Sequence, residues 1–158
     1  MKVIANAFAG VLATLFICSS PHRVNAHTVE FARICFSPGR PSQLETSADM
    51  EELLDQEQMG GLLGSLRALK ENPILGVKVV GYADKDECRP RECVQLSLRR
   101  AKIVFDWFFD HGVPVEQLRG PSGESTDWPL DSGETEDGRA LNRRVQLEPY
   151  SLREAGSR

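Results

Sequence analysis

The chain is short of the residues on which most enzymes depend. It has three histidines, four cysteines, two tryptophans and two tyrosines among its 158 residues. Three scattered histidines are too few to anchor a metal site, and no cysteine stands at a familiar ligand spacing from them. There is no G-x-S-x-G elbow, no P-loop, no H-E-x-x-H pair and no dinucleotide fingerprint. Neither a metal nor a cofactor is therefore expected. An excess of positive charge is also missing. Lysine and arginine total 19 against 23 acids, a formal net charge of −4, so nothing in the electrostatics points to nucleic acid. Asp84 and Asp86 could act together in acid–base hydrolysis, but two acids in a polar loop are more often solvated. The expectation is a binding protein, not an enzyme.

A membrane-spanning run is missing too. The apolar stretch from Val3 to Ile17 covers about 15 residues, whereas a bilayer-spanning helix needs roughly 20. Lys2 stands before it, and Val24-Asn25-Ala26 places small or tolerated residues where a signal peptidase reads. Residues 1–26 thus read as a cleaved secretory signal, with the mature chain beginning near His27 and carrying no transmembrane span. Two alternatives are an uncleaved anchor and lipid attachment at Cys18, for which Ile17 is a poor preceding residue. Cleavage removes two of the 19 basic residues and none of the 23 acids, leaving a net charge of −6. Export also places the cysteines where disulfides persist.

What remains is one domain, 27–150, followed by a polar tail, 151–158. Its composition, 41% hydrophobic and 27% charged, is that of an ordinary soluble protein. His27 to Phe36 has strand composition with broken alternation, which a bulge near Ala32-Arg33 or burial of both faces would reconcile. Cys35 within it reads as a buried free thiol. Met50, Leu53 and Leu54, then Leu62, Leu63, Leu66 and Leu69, are spaced as helix; two helices, or one broken near Gly60-Gly61, fit equally. Asn72-Pro73 ends this segment. Ile74 to Tyr82 is the surest strand. Leu96 to His111 is an amphipathic helix with Ala101, Val104, Phe105 and Phe108 on one stripe, stopped at Gly112. Pro114 to Leu118 reads as a helical turn, and Gly120 to Gly133 as a long loop with an edge strand near Leu118-Arg119. Gly138 to Asn142 reads as a brief helix and Arg144 to Tyr150 as an alternating strand.

Between the surest strand and the surest helix lies Asp84-Lys85-Asp86-Glu87-Cys88-Arg89-Pro90-Arg91-Glu92-Cys93. Zinc at Cys88 and Cys93 would need further ligands. A disulfide needs nothing else, and Pro90 suits the turn, so a bridge of about 2 kcal/mol is expected. Asp84 leaves the strand and Arg100 sits early on the helix, so both could face one small pocket. A carboxylate and a guanidinium side by side suit a ligand carrying an ammonium and a carboxylate. A structural ion pair is the other reading.

Five fragments in order carry a resemblance: Gly81-Tyr82-Ala83-Asp84, Leu96-Ser97-Leu98-Arg99-Arg100-Ala101, His111-Gly112-Val113-Pro114, Gly123-Glu124-Ser125 and Gly138-Arg139-Ala140-Leu141-Asn142-Arg143-Arg144-Val145. Together, over 74–148, they resemble the OmpA-like C-terminal domain. The resemblance implies an α+β fold, a β-α-β-α-β(-β) sandwich with helices packed on one face of a small mixed sheet. It further implies a domain of the bacterial periplasm, associated with the outer membrane, that binds peptidoglycan through the diaminopimelate of the stem peptide. Asp84 and Arg100 fall on the family's gripping positions, and Arg143 on the closing motif, where it would brace the acidic side while Arg144 faces solvent. Other envelope proteins are further candidate partners, and the alternative is an interaction module of the same fold without wall binding. The chain departs from the family pattern at Ala83, where a threonine is usual, and at Cys93, where an asparagine is usual. The Asp84-to-Arg100 interval is about one residue longer than the commoner spacing, and the Cys88–Cys93 bridge stands in for a Gly-bearing turn.

Overall fold

The structure, a computed structural model, describes residues 30–152. The signal segment 1–26, the expected start at His27, Cys18 and nearly all of the tail lie outside the described residues.

The elements run β1 (Ile34–Cys35), a 3-10 turn (Ser47–Asp49), α1 (Met50–Leu53), α2 (Gln56–Glu71), β2 (Leu75–Gly81) and α3 (Pro90–Asp110). A second 3-10 turn (Val115–Gln117), β3 (Leu118–Gly123), α4 (Glu136–Asn142) and β4 (Arg144–Ser151) complete them. The strands make one mixed sheet in the order β1-β4-β2-β3. β4 is antiparallel to β1 and β2, and β3 is parallel to β2. This is the expected α+β class, helices packed on a small mixed sheet.

β2 and α3 form the centre. Val77 and Val79 of β2 meet Ala101, Val104 and Phe108 of α3, all with no exposed area. Each of the larger side chains among these contributes roughly 2 kcal/mol by leaving water. Gly81 permits the contact, because a Cβ there would run into the Ser97 carbonyl of α3. α3 opens with Pro90 at its first position, where a missing N–H costs nothing. Glu92 reaches back to accept from the Arg89 N–H at 3.2 Å. The helix ends where Gly112 takes the left-handed conformation, φ +82°.

Four expectations change. The break in the first helical segment falls at Leu54-Asp55, not at Gly60. Asp55 caps α2 by accepting from the Gln58 N–H at 2.8 Å, and α2 then runs unbroken through both glycines. Gly61 instead lets the helix approach Ala32, whose Cβ would lie 2.8 Å from any Cβ at this position. α3 starts six residues before Leu96, which puts Cys93 on its first turn and not in a loop. β3 extends through Gly123, because pairing with β2 draws Gly120 to Gly123 out of the expected loop. β1 is only two residues long, and Cys35 is half-buried.

Candidate functional site

The site forms where β2 ends. The Tyr82 N–H donates to the Arg144 carbonyl at 2.8 Å, and the Ala83 N–H to the Ser125 carbonyl at 2.7 Å. These two bonds aim Asp84 inward, and it is 1% exposed. Its Oδ1 accepts from the Asp86 N–H at 3.0 Å, a local turn bond. Its Oδ2 accepts from the Asn142 side-chain amide at 2.9 Å. Asn142 is itself held, since its Oδ1 accepts from the N–H groups of Leu130 at 2.8 Å and Asp131 at 3.2 Å.

Arg100 has no exposed area and uses every N–H it owns. Nε donates to the Arg40 carbonyl at 2.8 Å and Nη1 to the Tyr82 carbonyl at 3.0 Å. Nη2 reaches the Ser37 carbonyl at 3.4 Å. The two remaining donors make a two-pronged contact with Glu87, Nη1 to Oε1 at 2.5 Å and Nη2 to Oε2 at 2.8 Å. The Phe36 ring lies 5.7 Å from the guanidinium carbon. The acid facing Arg100 is therefore Glu87 and not Asp84.

Glu87 is equally saturated. Besides the two guanidinium bonds, Oε1 accepts from the Asp84 N–H at 2.8 Å and Oε2 from the Gly39 N–H at 2.9 Å. Four donors on one carboxylate use its full acceptor capacity. Asp84 and Arg100 are thus brought together, but through Glu87: the backbone of one and the side chain of the other hold the same carboxylate.

The bridge between Cys88 and Cys93 is present, with Cα atoms 5.2 Å apart. It ties the residue after Glu87 to the first turn of α3. Cys93 and Ala83 are both buried, at 1% and 3% exposure. The two positions where the family pattern has polar side chains are thus apolar and covered, and a short covalent loop closes this side of the site.

Arg143 lies elsewhere in the hydrogen-bond network. Nη2 pairs with Glu136 at 2.6 Å, and Nε donates to the Phe36 carbonyl at 3.1 Å. Among the described residues, none of its hydrogen bonds reaches Asp84, Glu87 or Arg100. It lines a cleft of about 580 Å³ together with Cys35, Phe36, Gln58 and Glu136. Hydrogen bonds from Arg143 and Arg139 hold the Glu136 carboxyl below the usual carboxylate range. Burial pushes the Cys35 thiol up, against the pull of nearby arginines. Arg144 does not face solvent as expected; it is 2% exposed and stacks 3.8 Å over the Tyr82 ring. Its Nη2 donates to the Trp128 carbonyl at 3.0 Å.

Glu87 and Asn142 were not singled out in the sequence. Asn142 has a signal, since it sits inside the closing motif. Glu87 has only its place three residues after Asp84, the span across which a side chain can reach back to the start of a turn.

A sequence profile of the OmpA family matches residues 48–143, from the first helical turn to the end of α4. The chain belongs to the OmpA family. Among its relatives, the probable lipoprotein YiaD of Escherichia coli (strain K12) is 33% identical over 90 residues, 54% of this chain and 38% of the relative. The matched part of that relative is thus well under half its length. Among solved structures, the peptidoglycan-associated lipoprotein of Burkholderia pseudomallei is 19% identical, with a TM-score of 0.61 over 75% of this chain and 89% of that one. The cell wall anchor of the type VI secretion system (T6SS) of Pseudomonas aeruginosa is 25% identical, with a TM-score of 0.51 over 63% of this chain and 69% of that one.

Proposed function

We propose that this chain is a non-catalytic peptidoglycan-binding domain of the bacterial cell envelope, exported to the periplasm. Asp84 and Arg100 grip the diaminopimelate of the stem peptide. One observation carries the reading: the Arg100 guanidinium and the Asp84 N–H converge on a single carboxylate, that of Glu87. These donors are therefore arranged to hold a carboxylate, and the Asp84 side chain beside them can accept from an ammonium. Diaminopimelate presents both groups on one carbon. Arg143 acts at a distance. It pins Glu136 at the start of α4 to the Phe36 carbonyl, and α4 carries the Asn142 amide that aims Asp84.

Membership of the OmpA family and likeness to a peptidoglycan-associated lipoprotein and a cell wall anchor support the reading. Among the described residues no helix is long and apolar enough to cross a membrane. Co-sedimentation with purified sacculi tests the proposal. Wild type should pellet with the wall, and Asp84→Ala and Arg100→Ala should each remain in the supernatant while still folded. Retention of both variants would sink the site assignment.

A second reading keeps the fold and drops wall binding, leaving an envelope interaction module. The closed pairing of Arg100 with Glu87 favours it, since the guanidinium has no donor left for a ligand. Wild type that stays soluble beside sacculi, whatever residue stands at 87, would support this second reading.

A further inference from the structure

We infer that Glu87 is an internal stand-in for the ligand's carboxylate, so that the Arg100 seat is self-occupied and a ligand must displace Glu87 to enter. The inference rests on the wall-binding reading for the identity of the ligand. The seat itself rests on geometry alone.

Three observations lead to it. First, Glu87 receives what a bound carboxylate would receive: a two-pronged guanidinium contact and two backbone N–H groups. Two of those donors come from Arg100, one from Asp84 and one from Gly39, so three separated segments converge on one anion. A buried ion pair also needs its lone pairs satisfied, but donors from three segments around one carboxylate are equally what an anion-binding seat presents.

Second, the residue that carries this carboxylate reaches the surface. The Glu87 side chain is 4% exposed, but its residue as a whole is only half-buried. Its neighbours Lys85, Asp86 and Arg89 are exposed. The backbone thus runs along the surface while the side chain dives inward. A change of rotamer, with little movement of the chain, carries the carboxylate from the seat to water.

Third, the segment that presents Glu87 is restrained from both sides. The Glu87 N–H donates to the Asp84 carbonyl at 3.4 Å, and Cys88 is tied to Cys93 on α3. This restraint keeps Glu87 beside the guanidinium after each excursion, at a high effective concentration against which a free ligand must compete. Glu87 therefore sets a threshold. A lone carboxylate does not displace it. A ligand that also gives Asp84 an ammonium gains a contact Glu87 lacks, and this is the differential interaction needed to shift the balance.

The test uses the full mature chain as wild type, Glu87→Gln, Glu87→Ala and the double variant Glu87→Ala/Arg100→Ala. Binding of free meso-diaminopimelate is measured by calorimetry, and retention by sacculi by co-sedimentation. Affinity should rise about tenfold or more in both single variants, the factor by which a seat open a tenth of the time depresses binding. Acetate should raise the melting temperature of Glu87→Ala and leave the double variant unmoved. Should Glu87→Ala fail to fold, Glu87→Gln keeps the shape of the side chain and carries the affinity comparison.

The outcomes separate the two claims. Wild type that binds diaminopimelate as tightly as a folded Glu87→Gln overturns the self-occupied seat. If that binding is lost in Arg100→Ala, the wall reading stands without it. Acetate that stabilises Glu87→Ala through Arg100, with no variant holding diaminopimelate or sacculi, confirms the seat and overturns the wall reading.

Discussion

The side-chain amide of Asn142 donates to the Asp84 carboxylate at 2.9 Å, joining residues 58 positions apart in the chain. The same amide accepts from two backbone N–H groups, those of Leu130 and Asp131. One side chain therefore fixes the motif aspartate and closes the loop before α4. Asn142→Ala would strip a partner from a buried carboxylate and leave the Leu130 and Asp131 N–H groups to water, which reaches that loop. The expected loss is about 2 kcal/mol, chiefly from the buried carboxylate that loses a donor, read as a drop in the denaturation midpoint at unchanged slope. A loss within experimental error would show that water replaces the amide.

Gly81→Ala tests the contact between β2 and α3. The added Cβ meets the Ser97 carbonyl, a backbone atom that cannot move without displacing the helix. Overpacking of this kind costs about 3 kcal/mol at the upper end of its usual range. Thermal melts should show a large loss, whereas Gly60→Ala should be neutral or mildly stabilising, since nothing lies within 4 Å of a Cβ there.

Removing the bridge by Cys88→Ser/Cys93→Ser should cost about 2 kcal/mol for so short a loop. Peptide mapping of the unreduced protein should recover Cys88 joined to Cys93, with Cys35 free and alkylated more slowly than an exposed thiol, because burial disfavours its thiolate. Recovery of Cys35 in a bridge would contradict the structure.

The Glu136–Arg143 pair gives a pH signature. The folded state lowers the Glu136 carboxyl pKa, chiefly through hydrogen bonds from Arg143 and Arg139. Its contribution is therefore present above the ordinary carboxylate range and lost as pH falls through the lowered folded value. Wild type should melt above Glu136→Gln at neutral pH, and the gap should close in acid. A gap independent of pH would mean that the charge plays no part.

The sequence made the fold legible because its strongest signals are periodic. The stripe of Ala101, Val104 and Phe108 and the valines of β2 mark the two elements that pack together. Elements set by long-range pairing were harder to see. β3 carries Gly120 and Pro121, poor strand formers, and it is a strand because β2 lies beside it. The unbroken α2 was hidden for the opposite reason, since adjacent glycines weaken a helix locally and only the neighbour at Ala32 explains one of them. At the site, Asp84 and Arg100 were readable as motif residues. Their pairing was not, because Glu87 reaches Arg100 across 13 residues and Asn142 reaches Asp84 across 58, contacts that only the folded chain makes.

β4 is the last strand of the described residues and lies between β1 and β2. It supplies the carbonyl of Arg144 that receives the Tyr82 N–H beside Asp84. A chain growing from its N-terminus can thus pair β2 with β3, yet it cannot join either to β1 until the start of β4 has been added, since Val145 pairs with both Ile34 and Gly81. Until then the inner edge of β2 stays open to water, and a chain interrupted after Asn142 would carry Asp84, Arg100 and Asn142 without the Arg144 carbonyl that seats Tyr82 beside them.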